Sequence, residues 1–222
     1  MAVVQNPVTG RTRKAYGPAV FSTQFGKNTM RTKPLDVKNP NTINQKQQRA
    51  RFSLMVGLSR TLMSLIRITF KEVAKEMSQY NSFMQSNLPN AVSGNYPDFT
   101  IDYNRLVVAK GTLLGVQNGA VSPENGFIVD MTWNDNSDDI NGTSTDYAVG
   151  LVINESKNEI VQDLTSKARA DQNLRITVPS TWANDTVHVF LAFKAINSDA
   201  TSNSKYLGVI SQSSKSTFES SE

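Results

Sequence analysis

Apolar residues along this chain change from a helical spacing to a strand spacing close to residue 96. Before that point they recur at steps of three and four, which is the period of an amphipathic helix. The pattern predicts one helix near residues 42–57, a shorter one near 58–67, and a third that begins near Phe70 and stops at Pro89.

Two local signals set the ends of the first predicted helix. Thr42 and Gln45 are three residues apart, the spacing of a capping box in which each residue satisfies a backbone N–H of the other. Glycine weakens a helix interior by about 1 kcal/mol relative to alanine. We therefore expect the chain to break or bend at Gly57.

From Tyr96 onwards the sequence alternates between apolar and polar residues in short runs joined by Asn, Asp, Gly and Ser. This pattern is typical of a β-sandwich whose strands each bury one face. The predicted strands are Thr100–Asp102, Leu106–Ala109, Ala120–Val121, Phe127–Trp133, Tyr147–Ile153, Glu159–Val161, Leu174–Val178, Val187–Ile196 and Tyr206–Ile210. We expect one sandwich core, made of Phe127, Val129, Met131, Trp133, Val149, Leu151, Val189, Leu191 and Phe193.

The first 41 residues carry frequent Pro and Gly and show no periodic apolar face. Such a segment cannot bury Val20, Phe21 and Phe25 by itself, so we expect it to lie on another surface, its own domain or a neighbouring subunit. The fold class is therefore α+β. The predicted divisions are an extended basic arm (1–41), a helical module (42–95), an immunoglobulin/fibronectin III-like β-sandwich (96–210) and a polar tail (211–222).

Charge is divided unevenly between the two parts of the chain. Residues 1–80 carry fourteen Lys/Arg and three Asp/Glu, a net charge of +11, whereas residues 81–222 have a net charge of −7. The formal net charge of +4 hides this division. A basic front and an acidic back indicate either contact with nucleic acid or the stacking of identical copies.

The strongest candidate site is a set of basic and apolar residues in the arm and in the first turns of the first helix. Aromatic residues alternate with cations there, as in some proteins that bind single-stranded nucleic acid. The alternative is that the cations pair with acidic surfaces of a neighbouring subunit, which this chain itself supplies. The candidate interaction residues are Arg11, Arg13, Lys14, Val20, Phe21, Phe25, Lys27, Arg31, Lys33, Lys46, Arg49 and Arg51.

Catalytic and cofactor chemistry find no support in the sequence. The chain has no cysteine and one histidine, His188, which lies in a predicted strand between apolar neighbours. No phosphate-binding glycine motif appears. We therefore expect no enzymatic activity, no catalytic residues, no cofactor and no small-molecule substrate. The start of the sequence lacks an apolar segment and no run approaches 18 apolar residues, so neither a signal peptide nor a membrane span is expected.

The acidic loop at residues 134–146 is a candidate calcium site, because carboxylates are the oxygen ligands that Ca²⁺ prefers. Its aspartates do not follow the spacing of a calcium-binding loop, and no glutamate closes it. We interpret it as a solvated loop between strands and expect no metal. The aspartates are Asp135, Asp138, Asp139 and Asp146.

Two resemblances extend this interpretation. A tryptophan on the second strand, the YAVGLVI strand (147–153) and the WANDTVHVFLAF segment (182–193) resemble the fibronectin III and immunoglobulin-like sandwich. Nearly the full length of the sequence also resembles a family of proteins from Bacteroidota and their phages that is known only as a domain of unknown function. The residues that carry this resemblance are GPAVFSTQFGKNTMRTKP (17–34), NPNTINQKQQRARFSLM (39–55), LPNAVSGNYPDFTIDYNRLVVAKG (88–111), TWNDNS (132–137) and SNSKYLGVI (202–210). It implies a helical module followed by an immunoglobulin-like domain, and it implies no activity or functional residues.

The leading hypothesis is a structural component of a phage virion, in the head, neck or tail, that assembles through its arm and helices. Its partners would be further copies and other virion proteins, and it would be assembled in the host cytoplasm. A second hypothesis is a nucleic-acid-binding accessory protein in the bacterial cytoplasm that uses the basic half. A third is an adhesin-like binder that uses the sandwich loops and exposed aromatic residues such as Trp182.

Overall fold

The computed structural model describes residues 2–3, 14–24, 26–36, 39–124 and 127–211. The chain divides into two compact units, Met1–Lys46 and Gln47–Glu222. Arg11, Arg13 and Phe25 of the predicted interaction set and the predicted polar tail beyond residue 211 lie outside the described residues.

The described part of the N-terminal unit forms four antiparallel strands in the order β1-β4-β3-β2. They are β1 (Ala2–Val3), β2 (Lys14–Tyr16), β3 (Ala19–Gln24) and β4 (Lys27–Thr32). Two-residue turns join the last three strands, since Tyr16 pairs with Ala19 and Gln24 with Lys27. Each turn contains a glycine with positive φ, Gly17 at +56° and Gly26 at +78°, a conformation that other residues rarely adopt. Hairpin turns therefore organise the predicted arm into a sheet.

Three helices follow, α1 (Ile43–Thr61), α2 (Met63–Thr69) and α3 (Gln79–Asn87). The predicted capping box is present, because the Gln45 backbone N–H donates to Thr42 Oγ1 (3.4 Å) and the Thr42 N–H donates to Gln45 Oε1 (3.1 Å). No single helix in the described ranges is long and apolar enough to cross a membrane. By length and composition alone α1 and α2 pass together, although they meet at an angle of 85°.

The helix boundaries correct two predictions. α1 continues through Gly57 and breaks instead at Leu62, because burial of Met55 and Leu58 on either side outweighs the low helix propensity of one glycine. The third helix does not begin at Phe70. It begins after Ser78, whose side chain accepts a hydrogen bond from the Asn81 N–H at 3.1 Å and caps the helix.

A hairpin of β5 (Val92–Asn95) and β6 (Asp98–Ile101) joins the helices to the sandwich. The predicted pairing of residues 100–102 with 106–109 is wrong, because side chains bind the backbone of the second segment. Asn87 contacts both the N–H and the C=O of Val107, at 2.7 and 2.9 Å, and Ser204 Oγ accepts a hydrogen bond from the Val108 N–H at 3.0 Å. These bonds replace the ladder of a strand.

Seven antiparallel strands form a sandwich of two sheets, with orders β11-β8-β7 and β10-β9-β12-β13. Consecutive strands β8 and β9 lie in different sheets, as do β10 and β11, which is the connectivity expected of an immunoglobulin-like sandwich. The predicted β-sandwich is thus present. The strands are β7 (Gln117–Glu124), β8 (Ile128–Asn134), β9 (Tyr147–Asn154), β10 (Glu159–Asp163), β11 (Asn173–Thr177), β12 (Thr186–Lys194) and β13 (Lys205–Ser211).

The two central strands β9 and β12 are buried on both faces. On one face their residues pack against the β11-β8-β7 sheet in a cluster that includes Val129, Met131, Trp133, Val189, Leu191 and Phe193, with Phe127 partly buried at its edge. On the other face they pack against the helices in a second cluster that includes Met55, Leu62, Ile66, Phe70 and Phe83. The β10-β9-β12-β13 sheet is therefore a wall shared by two cores.

This arrangement corrects the predicted core for two residues. Val149 and Leu151 pair with Ala192 and Phe190 and belong to the cluster on the helical side. Gly150, which lies between these two residues on β9, faces the β11-β8-β7 sheet. Leu174 and Ile176 of that sheet fill the space that a side chain at residue 150 would need. An alternating pattern cannot reveal which face is which when both faces are apolar.

We expect Gly150→Ala to lower the free energy of unfolding by about 1–3 kcal/mol, the usual effect of overfilling a packed core. A Cβ at this position would lie 2.5 Å from Leu174 Cδ2 and 2.9 Å from Ile176 Cδ1. The matched control is Gly115→Ala, where a Cβ meets no atom within 4 Å. Urea unfolding measures both variants, and equal stabilities for the two would contradict the packing described for β9.

Candidate functional site

The N-terminal sheet has no buried side chain among those that the structure describes in its strands. Directly paired residues share a face, so Lys14, Phe21 and Met30 lie on one face and Val20 and Arg31 on the other. Phe21 and Val20 are half-buried, whereas the two cations and Met30 are exposed. Apolar and basic side chains therefore occur together on both faces of the sheet.

The remaining predicted cations fall into two groups. Lys27, Lys33, Lys46 and Arg49 are exposed, the last two on the polar first turns of α1. Arg51 is different, because its Nη2 donates to the Val92 carbonyl at 3.4 Å and its guanidinium carbon lies 5.6 Å from the Phe99 ring centroid. Arg51 thus holds the β5–β6 hairpin against α1 and is occupied within its own unit.

A cleft lies between α1, the β5–β6 hairpin and the turn that joins β9 to β10. Its volume is about 410 Å³. The hydrogen bond from Thr61 Oγ1 to the Asn158 carbonyl (3.4 Å) connects the end of α1 to that turn. The lining residues are Ser53, Leu54, Gly57, Leu58, Phe99, Thr100, Ile101, Tyr103, Glu155 and Asn158.

A cluster of aromatic and titratable residues lies behind one wall of this cleft. The His188 ring stacks on Tyr103 with centroids 3.8 Å apart and an interplanar angle of 11°. His188 Nδ1 lies 2.9 Å from the Tyr206 hydroxyl and Nε2 lies 3.3 Å from Glu155 Oε2. A carboxylate only accepts, so in the neutral ring Nε2 donates to Glu155, and Nδ1 accepts from the Tyr206 hydroxyl.

Burial controls the protonation of this cluster. It lowers the pKa of His188 below its usual 6.5, although the hydrogen bond and charge of Glu155 act in the opposite direction. Burial and then the nearby Glu155 charge raise the pKa of Tyr103 to about 12. At neutral pH the imidazole and both phenols are therefore uncharged, and Glu155 faces the cleft without a cationic partner from this cluster.

The acidic loop between β8 and β9 is held by a buried arginine. Arg169 is fully buried, with its Nη2 3.1 Å from Asp146 Oδ2 and its Nη1 2.6 Å from Asn136 Oδ1. Its guanidinium carbon lies 3.9 Å from the Phe193 ring centroid. Within the described part of the chain no group of three or more His, Asp or Glu side chains could hold a metal ion. Asp146, one of the aspartates of the acidic loop, is the counterion of Arg169.

Sequence reasoning missed the roles of Arg169, Tyr103 and Glu155, because their partners are far away in the sequence. It also placed Trp182 wrongly as an exposed aromatic residue. Trp182 is 1% exposed, and its indole Nε1 donates to Glu159 Oε2 at 2.8 Å. Trp182 therefore offers no exposed aromatic surface at the sandwich loops.

The sequence matches DUF6266, a family of unknown function, over residues 11–208. The chain belongs to the DUF6266 family. The predicted membership of a domain-of-unknown-function family is thereby confirmed. No curated protein matches this DUF6266 chain.

Comparison of the DUF6266 structure with solved structures finds the fibronectin III domain of the human collagen alpha-1(XX) chain. The two are 12% identical, with a TM-score of 0.36, over 49% of this chain and 93% of the collagen domain. The sandwich assignment stands on the strand order given above.

We expect the pKa of His188 to lie below 6.5, because burial disfavours the charged imidazolium form. It is the only histidine in the sequence, so its ring protons can be followed by NMR titration without assignment variants. Glu155→Gln should lower the midpoint further, since the carboxylate favours the imidazolium. A midpoint at or above 6.5 would contradict the described burial.

The lowered pKa of His188 also predicts how the stability of the fold depends on pH. Between the folded pKa and 6.5 the unfolded chain binds more protons, so the contribution of His188 to stability falls as pH falls through this interval.

We expect Asp146→Asn to destabilise the sandwich by about 3–5 kcal/mol, because it leaves the buried charge of Arg169 without a counterion. Asp139→Asn is the control, since Asp139 is exposed in the same loop and its loss should change stability by no more than about 0.5 kcal/mol. Thermal unfolding of the two variants tests this, and similar melting temperatures would refute a structural role for the ion pair.

Proposed function

We propose that this DUF6266 protein is a non-enzymatic structural component that assembles by placing its N-terminal sheet against neighbouring subunits. The observation that carries the proposal is the exposure of that sheet. A small sheet needs an apolar face packed on something to be stable in water, yet none of its described strand side chains is buried. The surface of a neighbouring subunit would bury the apolar side chains of this sheet.

Charge favours another copy of the chain as that surface. Residues 1–46 contain eight Lys/Arg and only one acidic residue, Asp36. The unit Gln47–Glu222 offers exposed carboxylates such as Asp98 and Glu155. Opposite charges steer association, whereas like charges disfavour contact between two basic sheets.

For the assembly itself we propose a phage virion, in which this protein contacts its own copies and other virion proteins. The support is the resemblance of the sequence to proteins of Bacteroidota and their phages. Mass spectrometry of purified phage particles tests this step separately, and finding the protein only in the bacterial cytoplasm would contradict it.

The assembly step is tested by light scattering over a range of protein and salt concentrations. We expect a concentration-dependent oligomer that weakens as salt rises above 0.1–0.15 M, where exposed charges are screened beyond about 8–10 Å. Reversing two exposed cations of the N-terminal unit, in Arg31→Glu with Lys33→Glu, should weaken association by at least about tenfold. The control is Lys167→Glu with Arg60→Glu, which reverses two exposed charges in the other unit.

Two outcomes would overturn the proposal. A wild-type chain that is monomeric at every concentration excludes assembly of identical copies through the sheet. If the Arg31/Lys33 variant leaves the oligomer intact but abolishes salt-dependent retention of DNA, the basic unit binds nucleic acid instead, because phosphate contacts release counterions.

A further inference from the structure

The cleft beside α1 combines apolar walls with a single charge. Leu54, Leu58 and Ile101 supply aliphatic surface, and Phe99 and Tyr103 supply aromatic rings. Among the ten lining residues only Glu155 carries a charge. Its side chain is 55% exposed, so the carboxylate can still accept hydrogen bonds from a bound group.

These walls suit a cation on an aliphatic stem. The long apolar stems of lysine and arginine pack along hydrophobic surface, while the charged ends need a carboxylate or the face of an aromatic ring. An anionic ligand would meet Glu155 with no lining cation to offset the repulsion. The chemical class that the cleft fits is therefore an alkylammonium or a guanidinium.

Gly57 leaves part of the α1 wall of this cleft without a side chain. It lies within a helix, where glycine costs about 1 kcal/mol relative to alanine. A Cβ at Gly57 meets no atom within 4 Å, so packing within the described chain does not require a glycine there. At Gly150, by contrast, core side chains fill the space that a Cβ would occupy. A bare backbone on the wall of an open cleft leaves room for a group from another molecule.

We propose that the cleft beside α1 binds a lysine or arginine side chain from the N-terminal unit of a second copy of this chain. The inference rests on the assembly proposed above and names the acceptor for the basic sheet. Charge complementarity selects this occupant. Arg31 and Lys33 are exposed on the N-terminal unit. Residues 1–46 contain a single acidic residue, Asp36, which is too few to balance the eight Lys/Arg of this unit.

The test removes the charge and the space of the cleft in separate variants. Glu155→Gln keeps the shape and loses the charge, and we expect association to weaken by about tenfold, the effect of losing a charge-assisted hydrogen bond. Gly57→Leu fills the cleft and should weaken association as much or more. Gly57→Ala is the steric control, because alanine and leucine have similar helix propensities but leucine extends further. Asp139→Asn is the charge control.

A charge exchange tests the pairing itself. Glu155→Lys should abolish association, and mixing that variant with the Arg31→Glu, Lys33→Glu variant should restore it, since each supplies the charge that the other has lost. Light scattering gives the mass of each species. Circular dichroism and urea unfolding should show that every variant keeps the stability of the wild type, or gains it at Gly57.

The results separate this inference from the assembly proposal. If the wild type is monomeric, the assembly proposal fails and this inference with it. If the Arg31/Lys33 variant loses association but Glu155→Gln and Gly57→Leu keep the wild-type affinity, the assembly stands and the cleft is not the acceptor. If the wild type associates and the cleft variants weaken it but the charge exchange fails to restore it, the occupant is not the Arg31/Lys33 region.

Discussion

Burial of the central strands β9 and β12 on both faces is the constraint on which the rest of the second unit depends. One face of β9 and β12 is covered by the β11-β8-β7 sheet and the other by α1 and α2. A sandwich sheet usually leaves its outer face to water, with polar residues on it. Here Phe190, Leu151 and Ile153 occupy that outer face, so the helices are a necessary covering layer. The helices and the β11-β8-β7 sheet therefore each form a core against the same two strands.

Hydrogen bonds between the helices and the sandwich follow from the packing of the helices on β9 and β12. The segment that runs from the helices into β7 passes between the two layers, where its backbone groups need partners. Thr69 Oγ1 donates to the Val108 carbonyl at 2.7 Å, and Thr201 Oγ1 donates to the Thr69 carbonyl at 3.1 Å. Glu72 accepts from the Thr112 and Thr201 N–H groups at 3.2 and 3.0 Å. Burial would raise the pKa of Glu72, but hydrogen bonds from Thr112 and Thr201 outweigh it and hold this pKa below 4.5.

The sequence predicted those elements whose signals are local. The capping box at Thr42 and the seven sandwich strands depend on neighbouring residues, and both are present. Prediction failed where distant groups decide the outcome. Gly57 stays helical because Met55 and Leu58 are buried against β-strands far along the chain, and residues 106–109 are not a strand because Asn87 and Ser204 bind their backbone. The cleft around Glu155 joins three segments distant in sequence, so no spacing rule could reveal it. The basic character of the N-terminal unit, by contrast, is a property of composition and follows directly from the sequence.

The ion pair of Asp146 and Arg169 has a consequence for how this domain can evolve. Each residue is nearly or fully buried, and Arg169 also bonds Asn136 and the Leu114 carbonyl, while its own carbonyl accepts from Trp133 Nε1. Loss of either charge alone leaves the other uncompensated in the interior. We therefore expect substitutions at these positions to preserve stability only when both charges are removed together or both are retained. Arg169 holds both ends of the loop, through Asn136 and Asp146. Substitutions at the exposed tip, which carries Asp138 and Asp139, should therefore leave the loop anchored.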